Sequence, residues 1–300
     1  MSVPELQRRR ARAARPPKAR RRGRSRRASV LLHGSLLGAS LIAVFPVFWI
    51  AISSFKGLEE ITSSTTLSIL PRNWTIRNYT HVLTADDHIF LTWLWNSLLV
   101  AFLTTVVGVF LAATAAYAFS RYRFPGYRPA LTSFLITQMF PAAILLVPIY
   151  NIVVQLGLLN SKTALVLAYA STAVPFSVWM LKGYFDTIPI SLEEAGRIDG
   201  LTPFGTFWRI VVPLSLPGIA VTSFFSFMTA WNEVAFANVI LVASESYTLP
   251  LGLQTYVFQF AQDLDKLTAG AMLVTIPAIV VFVFAQRYLI SGLTRGGVKG

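Results

Sequence analysis

The stretch Ile188-Pro-Ile-Ser-Leu-Glu-Glu-Ala-Gly-Arg-Ile-Asp-Gly-Leu-Thr-Pro-Phe-Gly-Thr-Phe-Trp-Arg-Ile-Val-Val-Pro213 carries more local structure than any other part of this chain. Ser191 followed three residues later by Glu194 is a capping box, which predicts a helix beginning at Leu192. Gly200 supplies the left-handed residue that closes a helix near Asp199. Thr202-Pro203 places an N-cap before proline at a first helical position. A second short helix should therefore run to about Ile210 and stop before Pro213. The expected unit is helix, glycine elbow, helix. Leu201, Phe204, Phe207 and Trp208 give it more apolar area than a solvated linker carries, so it should lie against a membrane surface or another protein.

Apolar segments flank this elbow on both sides. The 300 residues are 54% hydrophobic and only 13% charged, with a mean hydropathy of +0.59, whereas soluble chains carry about 25% charge. A helix needs about 20 apolar residues to cross the hydrocarbon core. Six segments reach that length: Val30–Ile52, Leu98–Phe119, Ala130–Val154, Thr163–Leu181, Pro217–Val242 and Leu267–Ala285. Glu233 is their only Asp, Glu, Lys or Arg. The runs are too long for barrel strands and lack alternation. An all-α membrane protein with six transmembrane helices is expected.

The net charge of +13 belongs to a tail: residues 1–27 hold twelve of the 26 Lys and Arg against Glu5 alone. With the N-terminus in the cytoplasm, 21 Lys and Arg fall inside and five outside, namely Lys56, Arg72, Arg77, Lys162 and Lys266. Both termini are therefore expected to be cytoplasmic. The first apolar run exceeds a signal-peptide core and no small-residue cleavage site follows it, so it reads as an anchor. The tail, residues 1–28, reads as a disordered segment near anionic lipid. No aromatic residue interleaves its arginines to stack a base, which argues against nucleic acid. Pro141, Pro148, Pro175 and Pro277 fall inside spans, where each frees a carbonyl and kinks the helix. Absence of cysteine removes disulfides and thiolate chemistry. No phosphate-binding G-x-x-x-x-G-K-[ST] loop occurs, so the chain is not expected to be an enzyme and needs no cofactor.

Glu194-Ala195-Gly196, three residues, Gly200, nine residues, then Ile210-x-x-Pro213 resembles the EAA loop of ABC importer permeases, E-A-A-x-x-x-G-x9-I-x-L-P. Two positions depart from it: Gly196 stands for the second alanine and Val212 for leucine. A glycine there costs a helix about 1 kcal/mol relative to alanine. Asn96-Ser97, the run Ala115–Arg121, Phe124-Pro125-Gly126, Trp231-Asn232-Glu233, Tyr247-Thr-Leu-Pro250 and the C-terminal Gly292–Gly300 resemble the carbohydrate branch. The likeness covers residues 30 to 300 and is greatest to the smaller, six-helix permease of maltose-type importers. It implies the MetI-like bundle of a type I importer in a bacterial inner membrane, with residues 29–300 forming the permease domain and a coupling loop at about 186–214. It also implies partners: a longer permease, two ATP-hydrolysing subunits and an extracytoplasmic sugar-binding protein, within membrane lipid and without nucleic acid. A stand-alone secondary carrier or channel is the alternative, and one acid across six spans is thin support for its ion relay.

On this resemblance Glu194, Ala195, Gly196, Asp199, Gly200, Phe204, Phe207, Trp208, Ile210 and Pro213 couple the chain to an ATPase. Phe204, Phe207 and Trp208 are the candidate contacts, since aromatic anchors carry most interface energy. Asn232, Glu233 and Gln138 are candidates for a translocation path or gate, because ionisable groups in a span face the bundle interior or a wet cavity. Equally, Glu233 could form a hydrogen-bonded packing pair with a neighbouring subunit. Gln254, Thr255, Tyr256, Phe258 and Gln259 form an outer loop facing the binding protein, where aromatic and amide groups suit sugars; an interfacial aromatic belt is the other reading. Gly296, Gly297 and Lys299 belong to a tail that reaches the ATPase. His33 should be a satisfied core residue. His81, Asp86, Asp87 and His88 lack the fixed frame a metal requires.

Overall fold

A computed structural model describes residues 26–63, 68–258 and 263–296. Thirteen helices carry the argument: α1 (Arg26–Ser53), α2 (Leu58–Thr62), α3 (Arg77–Thr84), α4 (Ile89–Arg121), α5 (Tyr127–Met139), α6 (Ala142–Gln155), α7 (Lys162–Phe185), α8 (Ile190–Ile198), α9 (Pro203–Leu214), α10 (Leu216–Trp231), α11 (Ala235–Ile240), α12 (Leu249–Phe258) and α13 (Leu264–Gly296). The described residues contain helices and no strand. They fall into two units, residues up to Phe48 and residues from Trp49 on. The first is an apolar helix in which the His33 ring bonds the Ser29 carbonyl at 2.7 Å, so the histidine is satisfied by its own turn and not by a core.

Four helices are long and apolar enough to cross a membrane alone: α1, α4, α7 and α13. Two bent pairs, α5 with α6 and α9 with α10, raise the number to six. Two expected spans therefore differ from the structure. Ala130–Val154 is not one helix: α5 and α6 meet at 106°. Proline pushes its preceding residue out of the helical region, and Phe140 is extended at φ −78°, ψ 128° before Pro141. Pro148, Pro175 and Pro277 remain within helices. The run Pro217–Val242 also breaks, because α10 ends at Trp231 and α11 starts at Ala235.

Helix α4 is the centre of the second unit and packs on α7 and α10. Asn96, Val100, Thr104, Gly108, Ala112 and Ala116 recur every fourth residue and are all buried. Small side chains at that spacing let helix backbones approach closely, which is how helices associate in lipid. Helix α7 meets them with Ala164, Ala168, Ala173 and Ser177. Two apolar clusters result. One, near the outer side, centres on Phe90, Trp93, Tyr169, Trp231 and Phe236. The other, near the cytoplasm, centres on Tyr117, Phe119, Leu181, Phe185 and Phe207.

Candidate functional site

The elbow forms, with altered ends. Helix α8 starts at Ile190 after Pro189, with no side-chain cap, so Ser191 lies inside it and the expected capping box does not form. Pro189 takes the N-cap position at φ −59°, ψ 130°, and the helix begins two residues before the expected Leu192. The C-terminal end is as expected: Gly200 has φ +87°. Leu201 N–H donates to the Gly196 carbonyl at 2.9 Å and Gly200 N–H to Arg197 at 3.1 Å, the paired bonds of a Schellman motif. The Thr202 hydroxyl accepts Gly205 N–H at 3.1 Å and caps α9. Beyond this the expected stop fails, for α9 runs through Pro213 to Leu214. Pro213 has no N–H for the Arg209 carbonyl, and the ladder widens to a π turn over Phe207–Val211, the usual relief for such a defect. At Ser215 the chain bends by 80° into α10.

The elbow's side chains divide between two faces. Glu194, Ala195, Asp199, Gly200 and Pro213 are exposed, as are Ile198 at 86%, Phe204 at 71% and Trp208 at 39%. Phe207 is only 3% exposed and lies 4.9 Å from the Tyr117 ring, so the expectation that it faces a partner is corrected. Gly196 and Ile210 are turned inward together: the Ile210 Cδ1 occupies the space a Cβ on residue 196 would take. That contact accounts for glycine where the resembled loop has alanine. Because the colliding atom is the free end of a flexible side chain, Gly196→Ala should change stability by less than about 1 kcal/mol, the helix-propensity gain offsetting the displaced methyl. Thermal unfolding of the purified protein checks this.

A polar cluster joins the elbow to the cytoplasmic end of α4. Arg121 pairs with Glu193, their side chains 6% and 2% exposed. Tyr117 donates its hydroxyl to Glu193 Oε2 at 2.9 Å. The remaining Arg121 nitrogens donate to Ser120 Oγ at 2.8 Å and to the Ile188 carbonyl at 3.2 Å. Ser120 in turn donates to Asp186 at 2.6 Å, and Lys182 pairs with the other Asp186 oxygen at 2.6 Å. Burial raises the Asp186 pKa, but the Lys182 and Ser120 hydrogen bonds outweigh it and hold the carboxyl below its usual range. The sequence points to Glu194, whereas in the structure Glu193 turns inward and joins Arg121 and Tyr117. Arg121 did end the quoted run Ala115–Arg121, but nothing local told which of two adjacent glutamates turns inward.

In the membrane region a cavity of about 400 Å³ is lined by Gln138, Thr172, Phe176, Phe225, Ser226 and Glu233, among others. It brings Gln138 and Glu233 together. Asn232 does not line it; its amide folds back on the Met228 carbonyl at 2.8 Å. Glu233 Oε1 accepts the Phe236 N–H at 2.9 Å, so this carboxylate satisfies the first turn of α11. Glu233 thus lines the cavity and caps α11 within its own chain.

The expected outer loop is helix α12. Tyr256 is buried against Trp93, with ring centroids 6.1 Å apart, and Thr255 bonds back to the Gly252 carbonyl at 2.7 Å. Tyr256 alone is turned inward; Gln254 and Thr255 are both partly exposed. The side chain of Phe258 and all of Gln259 lie outside the described residues, as do Gly297, Lys299 and residues 1–25 of the tail; Gly296 ends α13. The segment before α12 is pinned to α4. Trp93 Nε1 donates to the Ser244 carbonyl at 2.8 Å, Asn96 Nδ2 to Glu245 and Tyr247 at 2.8 and 2.9 Å, and Leu249 N–H to Ser97 at 2.7 Å. Two of the quoted motifs, Asn96-Ser97 and Tyr247–Pro250, are therefore one contact. Further out, His81 accepts from Arg77 at 3.0 Å and His88 bonds the Leu83 carbonyl at 2.6 Å.

Residues 104–295 match the model of the family described as binding-protein-dependent transport system inner membrane component. An inner membrane ABC transporter permease protein of Escherichia coli is 36% identical over 260 residues, 87% of this chain and 92% of that one. A maltose/maltodextrin transport system permease of Vibrio vulnificus is 38% identical over 285 residues, 89% of this chain and 95% of the other. Among solved structures, a chain of a bacterial ABC transporter that imports the acidic polysaccharide alginate superimposes with a TM-score of 0.74 and 26% identity, covering 89% and 98% of the two chains.

Proposed function

Since this chain belongs to the family of binding-protein-dependent transport system inner membrane components, we propose that it is the smaller permease of an ATP-driven importer of oligosaccharides of the maltodextrin type. It is a multi-pass protein of the bacterial inner membrane and a carbohydrate-branch ABC permease, a transport component and not an enzyme. In the proposed assembly it pairs with a longer permease, seats its elbow on one of two ATPase subunits and receives sugar from an extracytoplasmic binding protein. The observation that carries this reading is the elbow itself: two short helices held by the Gly200 Schellman turn and the Thr202 cap, with Ile198, Phe204 and Trp208 exposed on the cytoplasmic side. Apolar side chains presented by a rigid bend make a docking knob, which would deliver the closing motion of a nucleotide-bound partner.

Gln138 and Glu233 then line the sugar's path, where an amide and a carboxylate suit hydroxyl groups. Gln254 and Thr255, which stay partly exposed, would face the binding protein together with Phe258 and Gln259, whereas Tyr256 is held inward by Trp93; Gly296, Gly297 and Lys299 would reach the ATPase. The relatives' own names run from maltodextrin to the acidic polysaccharide alginate.

Purification in mild detergent tests the assembly. The importer reading requires an ATPase chain and a second permease in the eluate; a chain that purifies alone and transports in liposomes without ATP would be a carrier. Within the assembled complex, Gly200→Asp should leave insertion intact and uncouple the ATPase. Aspartate at φ +87° costs about 1–2 kcal/mol, which would loosen the bend. Substrate-stimulated ATP hydrolysis should drop on the order of tenfold; a wild-type rate would refute the knob.

A further inference from the structure

Helix α4 touches the elbow at one end and the outer segment at the other. At the cytoplasmic end Arg121 and Tyr117 hold Glu193 of α8 in a buried cluster. Toward the opposite end Trp93, Asn96 and Ser97 hold the main chain of residues 244–249 through four hydrogen bonds. Thirty-three residues lie in one unbroken helix between Ile89 and Arg121, about 50 Å at 1.5 Å per residue. We propose that α4 is the rod that carries the elbow's movement to the outer segment, with Arg121 and Glu193 as positioning residues at its inner joint and Asn96 at its outer one. This rests on the importer reading above and adds the route by which that importer is driven.

Three features favour α4 over its neighbours. Helix α10 is continuous with the elbow only through the 80° bend at Ser215, whose buried hydroxyl has no hydrogen-bond partner among the described residues. That helix also stops at Trp231, where the chain breaks before α11. Helix α7 adjoins the elbow through the Asp186–Pro189 linker. The Arg121–Glu193 joint, by contrast, ties α8 directly to the end of α4. Two buried opposite charges with their remaining lone pairs and protons satisfied hold one geometry, and neither can leave the other without stranding a charge. Between its ends α4 presents small residues to its neighbours, and such a face permits the short sliding of packed helices by which rigid elements transmit a shift. Nothing in the importer reading alone assigns a role to Glu193, Arg121 or Asn96.

The chain has no cysteine, so paired spin labels can be introduced cleanly. Ser191 on α8, Glu245 on the outer segment and Leu156 after α6 are all exposed. Distances are measured between labels at Ser191→Cys and Glu245→Cys, and between Ser191→Cys and Leu156→Cys. The assembled transporter is used in nanodiscs, before and after trapping with ATP and vanadate. A rod predicts that the Ser191–Glu245 separation stays constant on trapping while the Ser191–Leu156 separation shifts. Arg121→Ala, Glu193→Gln and Asn96→Ala should each abolish that constancy, Arg121→Lys should retain it, and the Arg121→Ala/Asn96→Ala double variant should be no worse than either single one. A purely structural role would make the two lesions add. Glu193→Gln keeps the side-chain shape and carries the test should Arg121→Ala fail to assemble. The rod is overturned if the Ser191–Glu245 separation changes in the unaltered joint, or stays constant without Arg121 or Glu193. Failure of the complex to assemble or trap nucleotide would refute the importer reading, and with it the rod.

Discussion

Gly252→Val should be among the most damaging single substitutions in this chain, lowering the unfolding temperature by about 10 °C in thermal denaturation of the purified protein. Gly252 packs against the Trp93 indole, and a Cβ built there would lie within 2.7 Å of three of its ring carbons. The ring cannot give way easily, being buried and bonded through Nε1 to the Ser244 carbonyl at 2.8 Å. Overpacking a core costs about 1–3 kcal/mol, and a buried donor torn from its acceptor adds about 1–3 kcal/mol. The same loss would free the segment before α12 from α4. Gly183→Val is the control, since open space surrounds that glycine. Trp93→Phe in the Gly252→Val background should recover part of the loss by shrinking the obstructing ring. A Gly252→Val protein that unfolds with the Gly183→Val control would show that α12 does not pack on Trp93.

Removing Arg121 alone should be comparably severe. Arg121→Met leaves Glu193 98% buried and without its cation, and breaking a buried ion pair from one side costs about 3–5 kcal/mol. The sign reverses when the whole cluster goes. Tyr117→Phe, Arg121→Met and Glu193→Leu together replace the charges and the donated hydroxyl with apolar groups of similar volume, an exchange often neutral for stability. The triple variant should unfold within about 2 kcal/mol of the parent while the single one does not. If Arg121→Met alone is silent, the pair does not hold α8 against α4. Paired with the label distances, the triple variant separates the two roles of the cluster: stability should return without the charge-defined joint.

The legible part of this protein was local. Long apolar runs mark the spans, and the excess of Lys and Arg on one side orients them, because both signals lie within contiguous stretches. Gly200 and Thr202 announce the elbow for the same reason: a left-handed turn and a hydroxyl cap are satisfied by atoms at most five residues away. Ser191 misled because an equally local rule competed with it; Pro189, two residues earlier, started the helix instead. Pro46, Pro148, Pro175 and Pro277 stay inside membrane helices while Pro141 ends one, although the residue type is the same.

By itself, then, the sequence determined an all-helical membrane bundle, its orientation and a bent pair of short helices on the cytoplasmic side. Tertiary structure alone decided that Glu193 and not Glu194 turns inward, that Phe207 packs on Tyr117 while Phe204 faces out, and that Asn96 and Ser97 grip residues 245–249. Each of those outcomes depends on a partner 72 to 152 residues away along the chain or on the packing that surrounds it. Adjacent residues with the same chemistry look alike until a second helix occupies one side of them, and that choice is made by packing.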